Sequence, residues 1–444
     1  MKKLLVTFLF VTSFVNAQFF GPKQQEGLMN GGFGMTWIDG QPFYAVHLMP
    51  EVAFSNIGIG LNLNLEFGSN GKIRTENFNE FSDYASIIRY IRYGQKKDPL
   101  YVRLGSLDYA TLGHGSIMYM YNNSPSYDAR KIGLEFDADF NNFGFESVYG
   151  TFGEGGVFGL RGYVRPLQFT SAGDIPIIGN LEAGLSYVTD FNKNSGVIAG
   201  TIDPVSGKFK SSVDEGNVSA LGFDLGLPIV RASIFNWDLY YDYVKFIDFG
   251  NGSSIGTVFN FHGLGLVDLN LKFERRINGD GYLPSYFNSL YEIERFRFNP
   301  ATSQVSSKVQ ILKAQAAVGN GYYGELLVSV LNTFNILGSY QRLDDMPQSG
   351  ILHMSTEVAP DGVPFILRAG YDKANIKNEK DLFTLDDRSY LFTEVGYKPL
   401  PYLITSIVYH YTFTPIRDAG DNIITYKSQK KIEPRVSFVY PFGL

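Results

Sequence analysis

The sequence predicts an all-β protein, a single antiparallel transmembrane β-barrel of about 18 to 20 strands with short turns at one rim and long loops at the other. Three observations carry that prediction. Large apolar residues recur at every second position in run after run; the links between runs alternate between tight and long; and beyond residue 17 nothing approaches the roughly 18 uninterrupted apolar residues of a helical span. Composition points the same way: 444 residues with 48 Gly, 29 Tyr, 37 Phe, 15% aromatic and only 18% charged. The absence of Cys excludes disulfides, thiolate metal sites, thiol nucleophiles and a lipidated N-terminal cysteine together.

The chain begins with Lys2 and Lys3, an apolar run from Leu4 to Val15, and small residues at Val15 and Ala17 around Asn16. This pattern predicts a secretory signal peptide, residues 1–17, removed after Ala17 to leave one barrel domain, residues 18–444. Removing two lysines and no acids leaves 36 basic against 44 acidic residues, a net charge of -8. No cluster of Lys and Arg suggests nucleic acid, and mild acidity suits an exported surface.

The alternation is clearest from Ile57 to Phe67, where Ile57, Ile59, Leu61, Leu63, Leu65 and Phe67 alternate with Gly58, Gly60, Asn62, Asn64 and Glu66. A strand sends successive side chains to opposite faces, so one face is greasy and the other polar or bare. Ile132 to Phe140, Leu181 to Phe191, Val267 to Phe273 and Phe365 to Tyr371 repeat the pattern. Tyr84 to Tyr93, Phe235 to Tyr243, Ser389 to Tyr397 and Leu403 to Phe413 do so more weakly.

Tight links are expected at Ser55-Asn56, Asn141-Asn142, Leu227-Pro228, Gly263-Leu264, Asn332-Thr333, Pro360-Asp361-Gly362 and Pro399-Leu400-Pro401. Between them fall long segments at 68–83, 108–129, 192–216, 275–320, 373–387 and 414–430. Two links break the rule, 39–41 being short and 167–179 long. A β-sandwich array would show Pro- or Ser-rich linkers between domains, and a β-helix a fixed short repeat; the sequence has neither.

Signal peptide, missing cysteine, dyad alternation, aromatic abundance and alternating link lengths together resemble the Gram-negative outer-membrane β-barrel proteins of porin-like type, over the whole mature chain. The final segment, with Val436, Phe438, Tyr440 and Phe442 on alternate positions, is similar to the C-terminal strand that such proteins present to the barrel-assembly machinery. It departs from the usual pattern at Pro441 and in ending on Gly443-Leu444. The resemblance implies an outer-membrane location among lipid and lipopolysaccharide, passage of small polar solutes, and no cofactor.

Tyr and Trp place polar tips at headgroup depth, which makes Tyr371, Tyr397, Tyr411, Phe413, Tyr240, Tyr241 and Trp237 candidates for aromatic girdles. The opposite face carries Glu66, Lys131, Glu135, Asp137, Asp139, Arg161, Arg165, Glu182, Asp224, Asp238, Asp242, Lys272, Glu274, Arg368 and Glu394. Arg89, Arg92, Arg103, Arg161, Arg165 and Arg368 are expected to oppose Asp137, Asp139, Asp224, Asp238 and Glu394 across a pore, giving a transverse field.

Two segments are long enough to enter the lumen. Asp108 to Arg130 carries His114 between Gly113 and Gly115, followed by aromatic and amide residues suited to a constriction. Asn278 to Asn320 contains Ser285 to Arg297, whose Tyr286, Phe287, Tyr291 and Phe296 fall at helical spacing and predict a plug or lid.

No catalytic, cofactor or metal site is expected. Gly252-Ser253-Ser254-Ile255-Gly256 matches G-x-S-x-G without a strand-to-helix elbow, and His47, His114, His262, His353 and His410 are scattered. Three function classes follow: a porin-like passive channel; a closed barrel with a structural, adhesive or assembly role; and an outer-membrane hydrolase, which would require His114, Ser254 and Asp242 to meet in space.

Overall fold

A computed structural model describes residues 26–78, 84–85, 87–153, 155–263, 266–314, 320–331, 334–344, 346–358 and 363–443. The expected signal peptide and the expected turns at Leu264, Asn332-Thr333 and Pro360-Asp361-Gly362 lie outside the described residues. Most of the described chain enters one antiparallel sheet of 22 strands. Gln41–Leu48 and Glu51–Phe54 are two pieces of one stave, and Ile57–Leu61 and Leu63–Phe67 are two pieces of another, so 22 strands less two make 20 staves.

The pairing runs from Glu26–Ile38 through those two staves to Ile88–Tyr93, Leu100–Gly105, Gly133–Asp139, Phe143–Tyr149, Val157–Val164 and Glu182–Asp190. It continues through Ser219–Arg231, Phe235–Phe246, Asn251–Phe261, Val267–Asn278, Asn320–Val330 and Phe334–Leu343. Gly350–Val358, Phe365–Ile376, Ser389–Leu400, Leu403–Arg417 and Ile423–Gly443 complete the circuit. The last strand then pairs with the first, Phe438 opposite Gly31 and Phe33 opposite Val436, so the wall has no edge.

The dyad pattern sorts side chains as the sequence requires. Ile57 and Ile59 are exposed while Gly58, Gly60, Asn64 and Glu66 are buried; Leu185, Ile255, Phe273, Val395 and Ile407 are likewise exposed on the convex face. Such a band is stable only against hydrocarbon, where a closed barrel satisfies every backbone group from within. Among the described residues no helix is long and apolar enough to cross a membrane.

Three local expectations are corrected. Pro228 is not a turn residue: it sits inside Ser219–Arg231 at a β-bulge, where a missing N–H is tolerated. The segment 414–430 is no long loop, because the strands run on to Arg417 and resume at Ile423 around an Asp418-centred turn. Ser253 and Ser254 lie within the strand Asn251–Phe261 rather than in a turn. Of the girdle candidates, Tyr240 turns into the lumen, Tyr371 is covered where its hydroxyl donates to Leu382 O, and Tyr411 and Phe413 are buried; Tyr397 and Tyr241 stay exposed.

Candidate functional site

A wall of 20 staves encloses more space than its own inward side chains can fill. Two segments from the long-loop rim fill it: residues 106–132, here the inner loop, and residues 279–314, here the roof loop.

The inner loop crosses the lumen and bonds to strands on every side. Gly113 N–H donates to Glu146 at 2.7 Å, and the His114 ring bonds Asp242 through Nδ1 at 2.7 Å while stacking on Tyr240 at 4.2 Å. Ser116 donates to the other Asp242 oxygen, Lys272 donates to His114 O at 2.6 Å, and Tyr119 donates to Glu325. On the far side Asp128 takes a bidentate pair from Arg74 at 2.7 and 2.8 Å, and Thr412 donates to Pro125 O at 3.0 Å. Gly113 and Gly115 stand at φ 56° and 97°, and a Cβ on Gly115 would come within 2.3 Å of the Tyr119 ring. The glycines around His114 are therefore required by the bend itself.

The roof loop lies on the inner loop. Ser285 N–H donates to Ser116 O, Phe287 N–H to Ile117 O, and Tyr119 N–H to Phe287 O. Tyr286, Phe287, Tyr291 and Phe296 are all buried, as a plug requires. The expected helix over 285–297 is corrected to one helical turn, Tyr291–Glu294, followed by a hairpin of Phe296–Asn299 with Gln304–Ser307 and the helix Lys308–Ala314. Apolar spacing there reflects packing against a wall on several sides, not one helical face.

At the centre of the roof, Arg295 bonds Asp190 at 2.5 Å and both Glu292 oxygens at 2.9 and 2.7 Å. Lys131 and Tyr121 of the inner loop also donate to Glu292, and Tyr291 donates to Asp190 at 2.7 Å. Burial opposes the Glu292 charge, but Arg295 and Lys131 beside it hold the carboxyl down at about 2. Burial lowers the His114 imidazole, and the Asp242 carboxylate outweighs that and leaves it raised. Sequence reading missed Arg295, Glu292 and Asp190; the Glu292-x-x-Arg295 spacing inside a predicted plug is the signal that could have marked them.

Beneath this roof, toward the short-turn rim, lie two cavities. One of about 430 Å³ is bounded by the first and last strands and contains Arg368, Glu394, Arg89 and Arg435 beneath Tyr109 and Tyr127. The other, of about 610 Å³, contains Lys96, Asp137, Asp139, Arg165, Glu182, Asp238 and Lys272 beneath Thr111 to Tyr119. The lining of the first holds six Lys or Arg and four Asp or Glu, a formal +2; that of the second holds five and seven, a formal -2.

The charges expected to face one another across a pore are instead paired along the wall. Arg161 bonds Asp224 at 2.6 and 2.9 Å, Glu182 at 2.8 Å and Glu146 at 3.3 Å; Arg165 bonds Asp139 at 2.9 Å. Arg368 reaches Glu357 at 3.1 Å and Glu394 at 3.2 Å, Arg103 reaches Asp108 at 2.8 Å, and Asp238 takes Arg231. The transverse field is thus corrected to a set of local networks: neighbouring staves are under 6 Å apart, far closer than opposite walls. Lys96, from a short turn, folds back to Asp137 at 2.8 Å.

His114, Asp242 and Ser254 do meet, joined by Ser116. Their order is wrong for a nucleophile: Ser116 bonds Asp242 and Ser254, and neither hydroxyl bonds the imidazole. A triad needs the serine on the histidine and the carboxylate behind it.

Compared with family models and with curated proteins, the sequence matches none. Solved structures do align along nearly its whole length. OccK5 of Pseudomonas aeruginosa is 12% identical with a TM-score of 0.31, covering 94% of this chain and 98% of its own. OccAB3 of Acinetobacter baumannii is 11% identical with a TM-score of 0.31, covering 94% and 99%. The ferric enterobactin receptor PfeA of Pseudomonas aeruginosa is 9% identical with a TM-score of 0.33, covering 95% and 82%. The architecture follows from the chain's own strand pairings. A closed antiparallel wall, greasy outside and charged inside, with its long loops at one rim, is an outer-membrane barrel.

Proposed function

We propose that the chain is an exported, non-enzymatic outer-membrane channel for small polar solutes, shut from the long-loop side by its own roof and inner loops. A secretory leader at 1–17 and one barrel domain at 18–444, inserted by the barrel-assembly machinery among lipid and lipopolysaccharide, belong to this reading. The observation that supports it is the pair of charged cavities, about 430 and 610 Å³, left under the roof. A barrel with only a mechanical role has no need of such hydrated space, whereas a solute shed of its bulk water needs charged partners of both signs. Arg103, His114, Asp137, Asp139, Arg161, Arg165, Asp224, Asp238, Arg368 and Glu394 would set width and charge along the path, and Tyr286, Phe287, Tyr291 and Phe296 would form the movable lid.

One observation favours the closed structural barrel as the second reading: the roof loop is anchored at Asp190 on one side of the wall and at Asp372 and Phe413, on strands two staves apart, on another. Planar-bilayer recording separates the two. The purified chain should conduct in brief openings, and replacing residues 279–319 with a short flexible linker should raise the steady conductance several-fold. Silence from both proteins, with the variant still folded as a barrel, rejects the channel.

A further inference from the structure

All short-turn links but one are brief; the exception joins Val157–Val164 to Glu182–Asp190 through residues 165–181. It is a compact knob. Three short helical turns, Pro166–Phe169, Ser171–Asp174 and Ile178–Asn180, fold on one another, tied by Gln168 donating to Gly179 O at 2.9 Å and Gly179 N–H to Ile175 O at 2.9 Å. Its ends are close because Val164 pairs with Ala183. A compact surface loop of this kind ordinarily turns its apolar residues inward.

This one turns them out. Phe169 is 60% exposed, Ile178 54% and Ile175 48%, and the knob's charges are limited to Arg165 and Asp174. Ile177, a β-branched residue, is held at φ +69°, where L side chains are strained, and it too is exposed. Strain without burial in return marks a shape kept for an external contact.

The wall indicates what that contact is. The knob begins immediately after Val164, an outward position whose neighbours across the pairing are Phe143 on one side and Ala183 on the other. Phe143 is exposed and lies 5.1 Å from the ring of Phe140, also exposed, at the same rim. The apolar band therefore continues from the wall onto the knob without a charged break on that face.

We propose that residues 165–181 form a membrane-interface foot, with Phe169, Ile175, Ile177 and Ile178 immersed in the acyl region of the lipid leaflet next to the short-turn rim. This rests on the barrel's lying in a bilayer, and the test separates the two. The chain has no cysteine, so single labels are unambiguous. Phe169→Cys and Ile178→Cys, each carrying a nitroxide, are placed in the full chain in phosphatidylcholine liposomes, and collision with molecular oxygen is compared with collision with a water-soluble nickel chelate. Leu185→Cys on the apolar band and Val205→Cys, 95% exposed on a long-loop hairpin, are the references.

Both foot labels should match Leu185→Cys, with an oxygen-to-nickel ratio several-fold above that of Val205→Cys. Foot labels that match Val205→Cys while Leu185→Cys stays in lipid overturn the foot and leave the barrel intact. Labels shielded from both reagents identify a protein contact and also overturn it. Nickel access at Leu185 as well rejects the bilayer placement itself.

Discussion

Replacing Arg295 with Ala is the sharpest perturbation of the roof. The guanidinium is buried between Asp190 and Glu292, with three hydrogen bonds of 2.5 to 2.9 Å. Its loss leaves two buried carboxylates without their cation: Glu292 retains Lys131 and the Tyr121 hydroxyl, and Asp190 retains only neutral donors, the Tyr291 hydroxyl and the Asn192 N–H. Removing one partner of a buried ion pair costs about 3 to 5 kcal/mol, because the charge left behind has no water to return to. At 1.4 kcal/mol per tenfold, this raises the ratio of displaced to seated roof by roughly 10²- to 4 × 10³-fold, provided the displaced roof rehydrates both carboxylates. Single-channel recording measures that ratio as open probability. Arg275→Ala is the matched control: its pair with Asp344 at 3.1 Å is partly exposed and worth at most about 1 kcal/mol, so openings should hardly change. Equal open probability in Arg295→Ala, Arg275→Ala and the parent would falsify the idea that this ion cluster holds the roof shut.

The same cluster sets a pH response. The Glu292 carboxyl, held at about 2 against an ordinary 4.5, contributes stability that is whole above pH 4.5 and lost as the pH falls toward 2; protease cleavage within 279–319 should therefore rise only below pH 4.5, and a loop equally protected at pH 3 and pH 7 refutes this. Gly115→Ala forces a Cβ against Tyr119 at φ 97° and should loosen the inner loop by about 1 to 3 kcal/mol, read as faster hydrogen exchange of residues 110–120 with the wall unchanged. Arg161→Gln leaves Asp224, Glu182 and Glu146 facing one another and should lower the temperature at which the barrel loses its heat-resistant electrophoretic form, whereas Arg231→Gln, at the exposed partner of the half-buried Asp238, should not. Arg368→Glu reverses a charge in the cavity of formal +2 and should move the reversal potential toward cation preference in a salt gradient; an unmoved potential places the solute path elsewhere.

What the sequence disclosed follows the range of each interaction. The wall was readable because a strand's period of two is local: Ile57 to Phe67 states its own two faces without reference to any neighbour. The odd link at 167–179 was also readable, since length is a local property. Partners across 50 or more residues were not. Nothing near Asp128 announces Arg74, and nothing near His114 announces Asp242, because the first pair joins two loops and the second a loop to one place in a closed wall. Spacing misled where packing surrounds a segment: Tyr286 to Phe296 has helical periodicity yet is buried on several sides.

The inward face also changes character with height, and that bears on whether the roof ever leaves. Toward the short turns it carries Glu146, Arg161, Glu182, Asp224, Asp238 and Asp242; toward the long loops the same strands carry Val148, Val157, Val188, Ala220, Val244 and Phe246, all at most 1% exposed. They pack with Leu112, Ile117, Met118, Tyr121, Phe287 and Tyr291 of the two loops in one apolar cluster. A pore that stood permanently open would put this apolar arc of five adjacent staves in water, at about 25 cal/mol for each Å² exposed. On the proposed channel reading, the two arcs together fit a lumen whose resting state is shut, with opening opposed by apolar contact above and solutes met by paired charges beneath. Polar substitution of the upper arc alone, Val244→Thr with Val148→Thr, should then raise open probability while leaving charge selectivity where it was, and a selectivity change without added opening would show that the upper arc, too, lines the path.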